Sequence, residues 1–391
     1  MSGDRRVIAV ALAGFVTFLN LYAPQALLPM LAEDFGAGAG EISLTVSATT
    51  FAIALIAPFA GAAADVLGRK RIIATAMLAL VVPTALVALA DSLGAMVLWR
   101  FVQGLLLPPV FAVTIAYVGE EFPAAEATRV TGIYLSASSF GGFLGRFLTG
   151  LLAEALGWPG AFLSLAAITL AAALAVTALL PRERRFRRAA GLLSSARQML
   201  RHLGNPRLVA TYAIGFGVLF TFVATFTYVS FYLAAPPYAL SPTALGAIFV
   251  TYLMGVGTTL LTGRGVERFG RRTLVLLLIA VWAVGLLLTL LPLLAAIIAG
   301  LAVSAGCGFV CQAVATGYVA VTAREGRSAA VGLYVTFYYV GGSVGGVLPG
   351  LVWERRGWPG AVAIVLLMLL AIALVVALAW RAGATESASD R

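Results

Sequence analysis

The chain has 391 residues, 61% hydrophobic and only 11% charged, whereas an ordinary soluble domain is about 45–50% apolar and about 25% charged. No water-soluble globule of this length hides so much apolar side chain, so lipid is the solvent for most of the surface. The formal charge of +10 suggests nucleic acid or a membrane face, and its placement along the chain decides between them.

A spanning helix needs about 20 apolar residues. The sequence supplies such runs twelve times, near 7–31, 42–64, 71–90, 94–119, 127–153, 158–180, 207–234, 241–263, 272–291, 293–321, 328–353 and 358–380. The ninth and tenth are separated only by Leu291, Pro292 and Leu293. The run from Val7 is too long for a cleavable signal and reads as the first span. The expected fold is all-α and integral to the membrane. Residues 1–180 form an amino-terminal six-helix bundle, 181–206 a basic linker loop, 207–381 a carboxy-terminal bundle and 382–391 a tail.

Of the 26 basic residues, 22 fall on one face: Arg5, Arg6, the Arg69–Lys70–Arg71 cluster, Arg129, eight arginines from Arg182 to Arg207, and those near Arg264, Arg271, Arg327 and Arg381. The opposite face carries Glu33, Asp34, Glu41, Asp91, Glu154 and Glu354, with Arg355 and Arg356. The positive-inside rule makes the basic face cytoplasmic, with both termini on it, in an inner or plasma membrane. The charge is thus a topology signal and no nucleic-acid partner is expected. Cys307 and Cys311, four apart in one apolar run, read as small buried residues.

The halves carry the same text. Residues 132–161 match 332–361 at an offset of 200, pairing Gly141 and Gly142 with Gly341 and Gly342, Gly145 with Gly345, Glu154 with Glu354, and repeating Gly-Trp-Pro-Gly-Ala. Six helices per half is an even number, so the repeat is parallel, about an axis along the membrane normal. Paired bundles of this kind hold substrate near the midplane and alternate its access by rocking. The recurring glycines let neighbouring helices approach closely.

After the second run comes Gly61-Ala62-Ala63-Ala64-Asp65-Val66-Leu67-Gly68-Arg69-Lys70-Arg71, and after the eighth comes Gly263-Arg264-Gly265-Val266-Glu267-Arg268-Phe269-Gly270-Arg271-Arg272. Each is a tight turn with glycines, one carboxylate and a cationic cluster. In these loops, the repeat and the twelve runs, the sequence resembles the major facilitator superfamily. The resemblance implies a gating role for Gly61, Asp65, Gly68, Arg69, Lys70, Gly263, Glu267, Gly270 and Arg271. It places Asp65 against the eleventh helix and pairs Arg69 with Glu120 or Glu121, as a latch on the outward-facing state. Ala63 and Val66 depart from the family pattern. Leu98 to Gly104 is similar to a fourth-helix Arg-x-x-Gln-Gly motif linked to proton coupling. Tyr22 to Gln25 and Arg146 look closest to bacterial drug and sugar efflux permeases of the drug:proton antiporter type. The antiporter motif of the fifth helix is incomplete, since Phe140 precedes the paired glycines.

Only Arg100 and Arg146 are charged and well inside a run. An uncompensated arginine in hydrocarbon costs at least about 3 kcal/mol, so such residues face the interior and mark a pathway. Both lie roughly 10 Å deep at 1.5 Å per residue and are candidates for one cationic locus. At the repeat offset they align with Gly300 and Gly346, an asymmetry that favours function over scaffold. The alternative ties each to helix carbonyls or to an acid such as Glu154. Asn20, Gln25, Gln103, Phe220, Tyr228, Tyr334 and Tyr338 complete the expected substrate or proton pathway.

No Asp or Glu lies deep in any run, and the only histidine, His202, is in the linker. A lipophilic cation is therefore disfavoured against a neutral or anionic solute. There is no phosphate-cradling loop for an ATPase, no constellation for an intramembrane enzyme, and no cofactor or metal is expected. The reading is a monomeric secondary transporter for a small-molecule substrate, proton-coupled and exporting an amphipathic solute. A proton-linked importer of sugar or organic acid, a flippase of lipid-linked substrates and a channel remain alternatives.

Overall fold

The computed structural model describes residues 2–183, 192–323 and 325–380, with the side chains of 2–4, 61–63, 65, 66, 124, 125 and 192–197 outside that description. Every regular element among the described residues is helical, as lipid requires when each backbone N–H and C=O must find a partner within the chain.

The first span is assembled from α1 (Ser2–Leu21), a 3-10 turn (Ala23–Ala26) and α2 (Leu28–Asp34). Pro24 and Pro29 interrupt it, because neither has an N–H to donate and each disfavours helical backbone just before it. A short α3 (Ala39–Ile42) leads into α4 (Leu44–Leu67), followed by α5 (Arg69–Val87) and α6 (Leu93–Glu121). The next helix, α7 (Ala124–Leu179), runs for 56 residues. That is roughly 80 Å of helix against a hydrocarbon core of about 30 Å. Gly157 breaks it at φ 71 and ψ 165, and the two pieces are the fifth and sixth spans.

Beyond the linker helix α8 (Leu192–Leu203) comes α9 (Pro206–Ala234), the seventh span. The eighth departs from the single run expected over 241–263. It is α10 (Pro242–Ile248), a 3-10 turn (Phe249–Thr251) and α11 (Tyr252–Thr259), then α12 (Thr262–Phe269). The chain continues as α13 (Arg271–Leu288), α14 (Leu294–Thr322), α15 (Arg327–Val347) and α16 (Gly350–Ala379). A break at Gly357, φ 53, separates the end of the eleventh span from the twelfth. Among the described residues, ten helical stretches are each long and apolar enough to cross a membrane. Counting broken α7 twice and adding the interrupted first span gives twelve crossings in two six-helix bundles.

The repeat in the text is a repeat in packing. Gly141 and Gly145 of α7 lie on the backbone of Phe15 and Leu19 in α1, while Gly341 and Gly345 of α15 lie on Phe216 and Phe220 in α9. A Cβ at any of the four would overlap a facing carbonyl. These seams are the small-residue interfaces by which helices associate where the hydrophobic effect offers nothing.

On the acidic face the two halves touch. Gly150 rests on the backbone of Pro242 and Gly350 on Gly40. The Thr243 N–H donates to Glu154 at 2.9 Å, and the Glu354 carboxylate passes over Gly38. Deeper in, Ser343 Oγ donates to the Ser47 carbonyl at 3.0 Å and Thr336 Oγ1 to that of Ala54 at 3.2 Å.

The seam makes a direct forecast. Gly145→Val is expected to abolish folded yield in detergent gel filtration, because its branched side chain meets backbone. Gly132→Val, which faces open space on the same helix, leaves the peak in place.

Candidate functional site

The break in the first span leaves helix-end carbonyls without intrahelical donors. Arg100 of α6 takes them: Nη1 donates to the Asn20 carbonyl at 3.0 Å, Nη2 to that of Leu21, and Nε to that of Thr45 in α4 at 3.0 Å. Nη1 also reaches Gln103 Oε1 at 2.6 Å. Gln103 Nε2 donates to Thr84 Oγ1 at 2.7 Å, Thr84 donates to Asn20 Oδ1 at 3.1 Å, and Asn20 Nδ2 donates to Thr169 Oγ1 at 2.9 Å. The network joins the first, second, third, fourth and sixth spans. Arg100, Asn20 and Gln103 are wholly buried.

Asn20, Arg100 and Gln103, three of the residues expected on the substrate or proton pathway, are brought together in this network. Their polar capacity is spent on one another and on backbone, and the cation sits at a helix carboxyl end, where the dipole favours it. Arg100 holds the carbonyls of Asn20 and Leu21, and Arg146 lies beyond the break, against Tyr22 and Gln25.

Arg146 is held differently. Nε donates to Gln25 Oε1 at 2.7 Å and Nη1 to the Gly142 carbonyl one turn back. The guanidinium lies 4.6 Å from the ring centre of Tyr22, 4.5 Å from Phe249 and 4.9 Å from Tyr252. In the 3-10 turn of the eighth span, residues three apart eclipse, so Phe249 and Tyr252 present their rings to the same cation, 5.8 Å apart. Cation–π contacts are worth about 0.5–2 kcal/mol each, yet none supplies negative charge. A guanidinium has five donors, and no protein acceptor meets Nη2 among the described residues. Gln25 in turn donates to Thr227 Oγ1 of α9 at 3.3 Å. The cation thus sits where both halves meet.

Around it is an aromatic wall. Tyr22, Tyr252, Tyr338 and Tyr339 are within electrostatic reach of one another. Phe18, Phe111, Tyr339, Tyr338 and Tyr334 form a chain of ring contacts 5.5 to 6.3 Å apart. Tyr338 is half-buried. Tyr228 and Phe220 lie elsewhere: Tyr228 donates to the Gly346 carbonyl at 2.8 Å and packs on Trp353, and Phe220 lies in the α9–α15 seam against Phe216. Both are fully buried, and the structure does not bring them to Arg146 with the other expected pathway residues. Tyr334 packs over Gly215, with its hydroxyl buried near Thr316. Sequence reasoning missed Phe249, Tyr252 and Thr227, whose roles depend on an unforeseen helix break.

Glu154 does not neutralise Arg146. It accepts from Ser241 and Thr243, which hold it below the ordinary carboxylate range. A depressed carboxylate keeps its contact above that range and loses it only as pH falls through the lowered value. This contact is therefore intact around neutrality.

The gating loops can also be placed. Gly68, at φ 92, and Gly270, at φ 71, cap α5 and α13 in conformations that favour glycine. Arg69 pairs with Glu120, its Nε 2.8 Å from Oε2. Glu183 accepts from the N–H groups of Arg69 at 3.0 Å and Lys70 at 3.3 Å, an anion at a helix amino end. In the second half Arg271 lies 6.0 Å from the Tyr318 ring centre, and Gly263 and Glu267 are exposed. The side chain of Asp65, and Gly61, lie outside the described residues.

Two stacked bundles of six helices, with a cation between them, define a membrane transporter rather than an enzyme. The profile of the Major Facilitator Superfamily matches residues 10–237 and again 214–390, and the chain belongs to that family. It is 32% identical over 359 residues to the MFS-type transporter YybF of Bacillus subtilis, covering 92% of this chain and 89% of YybF. It is likewise 32% identical over 376 residues to the inner membrane transport protein YnfM of Escherichia coli, covering 95% and 89%. A variant of the nucleoside transporter NupG superposes with TM-score 0.80 at 16% identity, over 96% of this chain and 100% of that one, which is likeness of fold.

The two arginines predict opposite phenotypes. Arg100→Ala leaves the buried carbonyls of Asn20 and Leu21 and Gln103 Oε1 without this donor, at about 1–3 kcal/mol each, and is expected to lose folded protein in gel filtration. Arg146→Ala is expected to keep the folded peak of the wild type.

Proposed function

We propose that this transporter exports a small amphipathic solute carrying an anionic group, in exchange for protons, by rocking its two halves about the Arg146 locus. The observation that carries this is the buried Arg146 guanidinium, ringed by aromatics, with an unspent Nη2 and no carboxylate in reach among the described residues. A cation so placed is stabilised by whatever anion enters. The aromatic wall suits an apolar body attached to that anion.

In this reading the basic face is cytoplasmic, the termini lie inside, and the membrane is the bacterial inner or plasma membrane. An inside-negative potential then favours export of an anion by about 2.3 kcal/mol per charge per 100 mV. The glycine contacts on the acidic face part when the site opens outward. On the cytoplasmic side, Arg69–Glu120 with Gly68 and Lys70, and Gly270–Arg271 with Gly263 and Glu267, act as latches, joined by Gly61 and Asp65 as the resemblance implies. With no carboxylate inside the spans, proton coupling falls to acids at the ends, of which Glu120 faces a cation.

Proteoliposome flux tests this. Aromatic carboxylates are expected to show saturable counterflow, which a channel lacks, and an imposed pH gradient accelerates it. Arg146→Ala weakens carboxylate transport roughly thirty-fold or more, the loss of a charge-assisted contact. Glu120→Gln leaves counterflow but removes the pH-gradient response. Wild-type carboxylate flux in Arg146→Ala would contradict the assignment.

A further inference from the structure

Helix α8 packs against α9, α15 and α4. His202 Nε2 lies 3.2 Å from the carbonyl oxygen of Gly326, and Met199 lies beside Gly332. Between α8 and the ends of α9, α14 and α16 is an open cavity of about 890 Å³. Arg201, His202, Asn205, Arg207 and Glu325 line its polar side. Leu208 and Leu378 line the other, and Leu378 is 64% exposed toward the surrounding apolar belt.

Two arginines on the cavity wall are available to a ligand. Arg201 and Arg207 are exposed, and no hydrogen bond or ion pair engages either guanidinium among the described residues. Asn205 Oδ1 accepts the Arg207 N–H at 3.1 Å, and Glu325 is the acid on the cavity wall. The planar guanidinium fork matches phosphate oxygens in pairs. A free anion would use the arginines alone. A phospholipid would also use the apolar wall, with its headgroup phosphate between the arginines and its chains along α9 and α16.

We propose that Arg201 and Arg207 form a site for the phosphate of an anionic phospholipid, which binds α8 to the carboxy-terminal bundle. The inference rests on the proposed cytoplasmic assignment of the basic face, since anionic lipid is concentrated in that leaflet. Lipid occupancy would then hold the linker that joins the two moving halves.

The test is titration of purified full-length protein in neutral detergent with short-chain phosphatidylglycerol, phosphatidylcholine or inorganic phosphate, read by thermal unfolding. Phosphatidylglycerol is expected to stabilise the wild type and the Arg355→Gln/Arg356→Gln control from the opposite face. In Arg201→Gln/Arg207→Gln its affinity falls about fivefold per arginine removed. Competition by inorganic phosphate supports the phosphate contact, and full stabilisation by phosphate alone overturns a lipid as the occupant. Equal response in wild type and double variant, or no response in the wild type, overturns the site. Should the glutamine variant not be recovered folded, Arg201→Lys/Arg207→Lys must bind phosphatidylglycerol more weakly than wild type, and unchanged binding overturns the proposal. Detergent binding is indifferent to sidedness, so a failure of the topology appears separately, as outer-face labelling of Arg201→Cys in cells.

Discussion

An arginine buried in hydrocarbon has to find partners for its charge and its five donors, and two arginines here meet that demand in opposite ways. Arg100 meets it within the protein, on carbonyls freed by the break in the first span and on Gln103. That settles the carbonyls and the cation together and ties five helices of the first half to one point. Arg146 meets it only in part, with one amide oxygen, one carbonyl and three ring faces. What Arg146 lacks is an anion, and the transport reading follows from that deficit.

The repeat separates scaffold from site. Where the halves agree, the shared residue does mechanical work: the paired glycines of α7 and α15 admit the backbones of α1 and α9, and Gly157 and Gly357 break the chain at the same place. Trp158 and Trp358, beside those breaks, both use the indole N–H, on Asp34 at 2.6 Å and on the Thr289 carbonyl at 3.1 Å. Where the halves disagree, chemistry enters. Arg146 has Gly346 as its counterpart, and there a carbonyl accepts from Tyr228 instead of a guanidinium facing the interface.

Much of the fold was legible because lipid imposes simple rules: length and apolarity mark a span, arginines mark a face, and equal text marks equal structure. Even the short Leu291–Leu293 separation was readable, since a proline in a three-residue gap between two long apolar runs leaves a turn as its simplest use. The site was less legible. Arg146 and Gln25 stood out as polar residues in apolar runs, and so did Arg100, Asn20 and Gln103. Nothing local to the text distinguishes a guanidinium whose donors are satisfied from one whose donors are not, because the partners are carbonyls and every residue has one. Phe249 and Tyr252 were hidden for another reason. Their convergence needs a 3-10 turn with no proline to announce it, so the eighth span read as uninterrupted helix.

The site and the seams belong to one device. The half-to-half contacts on the acidic face are glycine on backbone, smooth enough to part without stripping buried polar groups, while the Gln25–Thr227 contact and the rings of the eighth span bring the second half onto a cation carried by the first. Charge recognition is the core of this account, and paired isosteres test it most directly. Thermal unfolding of the purified protein is followed with an aromatic carboxylate and with its uncharged primary amide, in wild type and in Arg146→Gln. The account predicts stabilisation by the carboxylate, far less by the amide, and no difference between them once Arg146 is replaced. Equal stabilisation by both in the wild type, or a carboxylate preference that survives the substitution, would contradict it.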